Sequence, residues 1–186
     1  MLKNQRNFGM MQSPKKDLAG VISFYPTERS DLLEQLNNLS FNDKDPLNSN
    51  YKMLDWKKYE VISVYENNGI VQGFSVAWHR PEFYKPNEVR ILSRYWKDQS
   101  IRLSCTHTEL SMPHLIDMIT HQLTMCKDLG FTEAFISREK SPRYFKKLIT
   151  SIQEKTGTQW HLYDKKQCVC VPEAPSCWQY KASTKL

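Results

Sequence analysis

Three successive segments decide the fold: Glu88-Val-Arg-Ile-Leu-Ser-Arg-Tyr-Trp96, then Ser111-Met-Pro-His-Leu-Ile116 opening a run that ends at Gly130, then Phe131-Thr-Glu-Ala-Phe-Ile-Ser137. The first divides between two faces. Val89, Ile91, Ser93 and Tyr95 share one face, and Glu88, Arg90, Leu92, Arg94 and Trp96 the other, as in a strand. In the second, Leu115, Ile116, Ile119, Leu123 and Cys126 repeat at helical spacing, with Ser111 as N-cap and Gly130 as stop, which predicts a helix over 112–129. The third is a short strand. A parallel strand reaches its neighbour only through a crossover, so the three segments read as one βαβ unit.

Working towards the N-terminus, Tyr59–Tyr65 and Ile70–Trp78 are rich in β-branched and aromatic residues, and Glu66-Asn-Asn-Gly69 between them has hairpin chemistry. Val21–Tyr25 reads as a first strand. Ser30 caps a short helix carrying Leu32, Leu33, Leu36 and Leu39, and residues 1–19 read as a flexible N-terminal arm. Towards the C-terminus, a helix from Pro142 to Lys155 presents Tyr144, Phe145, Leu148, Ile149 and Ile152, and Gly157 ends it. Trp160–Tyr163 and Cys168–Val171 then form a closing strand pair, and 172–186 is a C-terminal tail. The expected organisation is a single α/β domain over 20–171: a mixed, twisted sheet with helices on both faces.

Composition sets looser bounds. The 186 residues are 40% hydrophobic and 25% charged, ordinary for one globular domain with a core. The 26 Lys and Arg against 20 Asp and Glu leave a net charge of +6, a mild bias towards phosphates, nucleic acid or an acidic cofactor. No apolar run approaches a membrane span or a signal sequence. Five scattered cysteines fit reduced thiols rather than a disulfide framework. A cytoplasmic protein, monomer or homodimer, is the expectation.

Hairpin, third strand, helix, strand, helix and terminal strands is the order of the GNAT acyltransferases. The phrase Val64-Tyr-Glu-Asn-Asn-Gly-Ile-Val-Gln-Gly-Phe74 resembles that family's second and third strands, and Cys126-Lys-Asp-Leu-Gly-Phe131 resembles the exit of its central helix. The resemblance covers residues 20 to 171. It implies a GNAT-like acyl-CoA N-acyltransferase fold, acetyl-CoA as co-substrate, and a small-molecule or protein amine as acceptor. One departure stands out. The family holds the CoA pyrophosphate with a glycine-containing Gln/Arg-x-x-Gly-x-Gly/Ala loop, whereas Lys97–Pro113 here contains no glycine. Arg102 takes the place of the leading arginine, and Ser104 and its neighbours stand where the glycines would be.

The resemblance also assigns roles. Tyr144, early in the helix after the fifth strand, takes the place of the general acid that protonates the departing thiolate, although it also suits a packing aromatic. Glu88 and His79, at strand ends beside the expected cleft, are the candidate bases. Arg94, Tyr95, Lys97, Arg102 and Ser104 are the candidate cofactor-binding residues, with Arg90 in the same cationic cluster. Cations interleaved with Tyr95 and Trp96 also suit single-stranded nucleic acid, and Lys57, Lys58, Lys146, Lys147, Lys165 and Lys166 would extend the field. A GNAT-shaped interaction protein using the Trp160 and Trp178 region is the third alternative. His114, Asp117 and His121 share a helix side but lack a fourth ligand, so no metal is expected. No cysteine has a basic partner that would make it a nucleophile.

Overall fold

The computed structural model describes residues 20–37, 56–67, 69–96, 105–138, 142–167 and 178–186. Among the described residues, seven strands form one mixed sheet: β1 (Val21–Phe24), β2 (Val61–Asn67), β3 (Ile70–Trp78), β4 (Glu88–Trp96), β5 (Glu133–Arg138), β6 (Trp160–Gln167) and β7 (Trp178–Lys185). Their spatial order is β1-β2-β3-β4-β5-β7-β6. Among the described residues, only β4 and β5 pair in parallel; the other neighbours are antiparallel. Among the described residues, three α-helices pack on the sheet: α1 (Ser30–Asn37), α2 (Cys105–Asp128) and α3 (Pro142–Thr156).

Alternation along each strand divides the core into two layers. Val61, Ala77, Val89, Ile91, Ala134, Ile136 and Ala182 bury one face of the sheet against Ile119, Leu123 and Cys126 of α2 and Phe145, Leu148, Ile149 and Ile152 of α3. The intervening residues Ile62, Val64, Phe74 and Val76 meet Leu32 and Leu36 of α1, with Trp56 and Tyr59, on the opposite face. Helices therefore lie on both faces, as expected. The hairpin closes through Gly69, whose φ of +78° is the left-handed conformation this turn requires, and Glu66 Oε1 accepts a 3.1 Å hydrogen bond from the Gly69 amide.

The expected elements differ from the observed ones at several ends. The amide of Leu33 donates to the carbonyl of Arg29, which puts the cap of α1 one residue before Ser30. The helix expected from residue 112 begins at Cys105, with Pro113 inside it. A proline removes its own amide bond without forbidding a turn before it, so Ser111 is not the cap. The strand expected at Cys168–Val171 lies outside the described residues, as does the arm 1–19. The partner of β6 is instead Trp178–Lys185, in the stretch read as a tail, where β7 is inserted between β5 and β6. Its alternation of Ala182 and Thr184, both buried, with Lys181, Ser183 and Lys185 gives it one core face and one polar face, and so a low average hydrophobicity. Trp160, offered as a partner surface, is only 9% exposed and belongs to the core beside α3.

Candidate active site

The central feature is the parallel pair. The β4–β5 ladder runs from Glu88↔Glu133 to Ile91↔Ile136. Beyond that point β4 continues to Trp96, paired with Gly73 of β3, and β5 continues to Arg138, paired with Tyr180 of β7. Each strand keeps its outer partner while the two leave each other, so the sheet splays at the C-terminal end of this parallel pair. A sheet open at that point exposes inward-facing backbone groups able to receive an extended ligand.

Both large helices begin at this end, because each returns the chain from a parallel strand to the opposite side of the sheet. The buried Asp117 of α2 is ion-paired with Lys155 of α3. These are the thirteenth residue of one helix and the fourteenth of the other, so the two N-termini stand nearly level. Their positive dipole ends together favour an anionic group near the splay.

On the sheet face away from α2 and α3, a compact polar cluster surrounds Phe135. Glu88, 6% exposed, receives a 3.2 Å hydrogen bond from Lys181 Nζ at its Oε1. Lys181 reaches it from β7 across β5, with Nζ 4.1 Å from the centre of the Phe135 ring. The buried Arg90 donates from Nη2 at 2.8 Å to the Oγ of Ser137, the first β5 residue past the ladder. Tyr84 packs edge-on against Phe135 at 5.1 Å. Burial pushes the Tyr84 hydroxyl above the ordinary tyrosine value, and the neighbouring Arg90 opposes that shift. At the rim, Glu133 lies between Lys85 and Lys185, which hold its carboxyl below the usual range.

The candidate bases sit together at the start of β4. His79 Nδ1 lies 2.8 Å from the Glu88 carbonyl oxygen. A carbonyl only accepts, so Nδ1 carries the proton and Nε2 holds the lone pair of the neutral ring. Phe131 and Tyr84 flank the imidazole at 5.5 and 6.4 Å. Tyr144, the third residue of α3, is half-buried against the core layer of α2 and α3. It is thus at the splay end but on the sheet face opposite the Glu88 carboxylate. Arg94 and Tyr95 lie on β4 beyond the ladder, and their side chains are outside the described residues, as are Lys97, Arg102 and Ser104 entirely.

Sequence reasoning missed Lys181, Phe135, Ser137 and Tyr84. The signal for the first was the alternation of Lys181, Ser183 and Lys185 in the presumed tail. It also missed Glu60, whose carboxyl burial pushes up while His79 pulls it down. Of the residues considered for a metal, Asp117 is committed to Lys155, and His114 stacks on Tyr65 at 4.1 Å.

The chain matches no protein-family profile and no curated protein sequence. Solved structures do match. Aminoglycoside 6'-acetyltransferase type Ii superposes with a TM-score of 0.54 at 8% identity, covering 89% of this chain and 96% of that one. A GNAT-family acetyltransferase from Streptococcus pneumoniae gives 0.51 at 11% identity, covering 89% and 98%. The ribosomal-protein-S18-alanine N-acetyltransferase from Escherichia coli gives 0.50 at 7% identity, covering 89% and 92%. The chain therefore has the GNAT acetyltransferase fold, a single mixed α/β domain.

Proposed function

We propose that this protein is an acyl-CoA-dependent N-acyltransferase that moves an acetyl or other acyl group to an amine by direct attack. The observation that supports it most is the splay of β4 from β5 after Ile91 and Ile136, facing two level helix N-termini. The open strand edges suit an extended pantetheine arm, and the helix ends suit its phosphates. Bound acyl-CoA supplies the activated acyl group.

The chain's own residues then manage position and protons. An ammonium acceptor must lose a proton before it attacks, and Glu88 is the carboxylate on the acceptor side of the sheet; His79 Nε2 is the alternative base. Tyr144, at the start of α3, is the proposed donor to the departing sulfur. Arg94, Tyr95, Lys97, Arg102 and Ser104 are the proposed cofactor contacts along β4 and the segment that follows. Two cationic devices replace the missing glycines in this proposal: the arginine side chains and the paired helix dipoles.

Isothermal titration with acetyl-CoA tests this reading. Micromolar binding that persists at physiological salt supports it, and an absence of heat removes it. Arg143, Lys146 and Lys147 stand exposed on one face of α3, which favours nucleic acid as the second reading. A short single-stranded oligonucleotide titrated in parallel, with affinity that collapses as salt rises, would favour that reading instead.

A further inference from the structure

We propose that Lys181 is a self-acylation site: the protein transfers an acyl group from acyl-CoA to its own Lys181 Nζ, with Glu88 taking the ammonium proton. This rests on the acyltransferase reading of the same cleft. Lys181 is in register with Ser137, the first β5 residue beyond the β4–β5 ladder, so its backbone flanks the point where the strands part. Its side chain lies on the face that carries Glu88 and Phe135. Nζ is already 3.2 Å from the Glu88 Oε1 atom and sits over the ring of Phe135. A carboxylate and an aromatic face together are what a primary ammonium seeks, and the group that fills the place is a lysine of the chain itself.

The chemistry closes. Lys181 gives one proton to Glu88, which breaks the ion pair and frees a neutral amine to swing towards the splay. Nζ attacks the thioester carbonyl carbon, the C–N bond forms, the C–S bond breaks, and the electron pair leaves on sulfur. The thiolate takes the second proton lost by nitrogen, and Glu88 returns its proton to solvent. The products are an amide at Lys181 and free CoA thiol. Acylation removes the cation that holds Glu88, so the modified protein presents that carboxylate to an external ammonium.

Exposure gives the discriminating control. The Lys181 side chain is 34% exposed, against 71% for Lys85 and 78% for Lys185, which both belong to the same rim. Uncatalysed acylation favours the two exposed lysines; catalysed acylation favours Lys181. The unsubstituted 186-residue protein is incubated with acetyl-CoA, site occupancies are followed by peptide mass spectrometry, and acetyl-CoA binding is measured by titration on the same preparation. Lys181 labelling at least ~10-fold faster than Lys85 and Lys185 is expected. Glu88→Gln should slow it about 10²-fold. The comparison among lysines of the unsubstituted protein stands even if that variant does not fold. Acetyl-CoA binding with Lys185 labelled as fast as Lys181 overturns self-acylation and leaves the acyltransferase reading intact. Neither binding nor labelling overturns both.

Discussion

Asp117 of α2, 2% exposed, is ion-paired with Lys155 of α3, and this pair bridges the two helices whose N-termini flank the splayed strands. A carboxylate so buried depends on its cation, since removing one member of a buried pair leaves a desolvated charge. Lys155→Met should cost about 3 kcal/mol, the low end of the range for such pairs because Lys155 is partly exposed. Urea unfolding measures it. Asp117→Leu combined with Lys155→Met should recover most of that loss; a double variant as unstable as the single one would remove the explanation.

Glu60 gives a pH signature. Burial raises its carboxyl in the folded state, so folding disfavours the charged form. Its contribution to stability is complete below the unfolded-state value and is lost as pH rises through the raised folded value. Glu60→Gln should therefore raise the melting temperature at neutral pH and leave it nearly unchanged at acidic pH. A variant less stable at pH 7 than the wild type would contradict this.

For activity, Glu88→Gln should lower kcat about 10²-fold and leave acetyl-CoA affinity within about 2-fold. Tyr144→Phe should slow turnover by a comparable factor, again without weakening the cofactor, and an unchanged rate would remove Tyr144 as the acid. Arg94→Ala should do the reverse and raise the acetyl-CoA Kd. Steady-state kinetics paired with titration separate these outcomes.

Cys126 is a buried free thiol whose value burial pushes up to about 12. It should resist alkylation by iodoacetamide at pH 8 in the folded protein and react fully in denaturant. Rapid labelling of Cys126 under native conditions, read by peptide mass spectrometry, would show that α2 opens locally.

Gly20 stands at a φ of +105°, and a Cβ there would come within 2.6 Å of the Glu66 carbonyl oxygen. The carbonyl of Gly20 accepts the Glu66 amide, so the approach is part of the β1–β2 junction. Gly20→Ala should destabilise the protein by about 2 kcal/mol, combining the left-handed backbone with the clash. Chemical denaturation reads the difference.

Local chemistry made much of this architecture legible. The place of β4 follows from the division of its residues between two faces, the β2–β3 hairpin from Asn and Gly between β-branched runs, and α3 from the spacing of Phe145, Leu148, Ile149 and Ile152. The site was less legible. Glu88 announces itself as a charge at a strand start, but nothing near it in the chain identifies Lys181, 93 positions away, as its partner.

By itself, then, the sequence determined the β2–β3 hairpin, the βαβ unit and the helix α3, because periodicity and turn chemistry act over a few residues. Only the tertiary structure decided that β7 enters the sheet between β5 and β6, that the β4–β5 ladder stops at Ile91 and Ile136, and which charges meet over Phe135. Strand order and register depend on long-range burial. A strand such as Trp178–Lys185 carries one apolar and one polar face, and its place is fixed by the layer of α3 and Trp160 against which that apolar face packs.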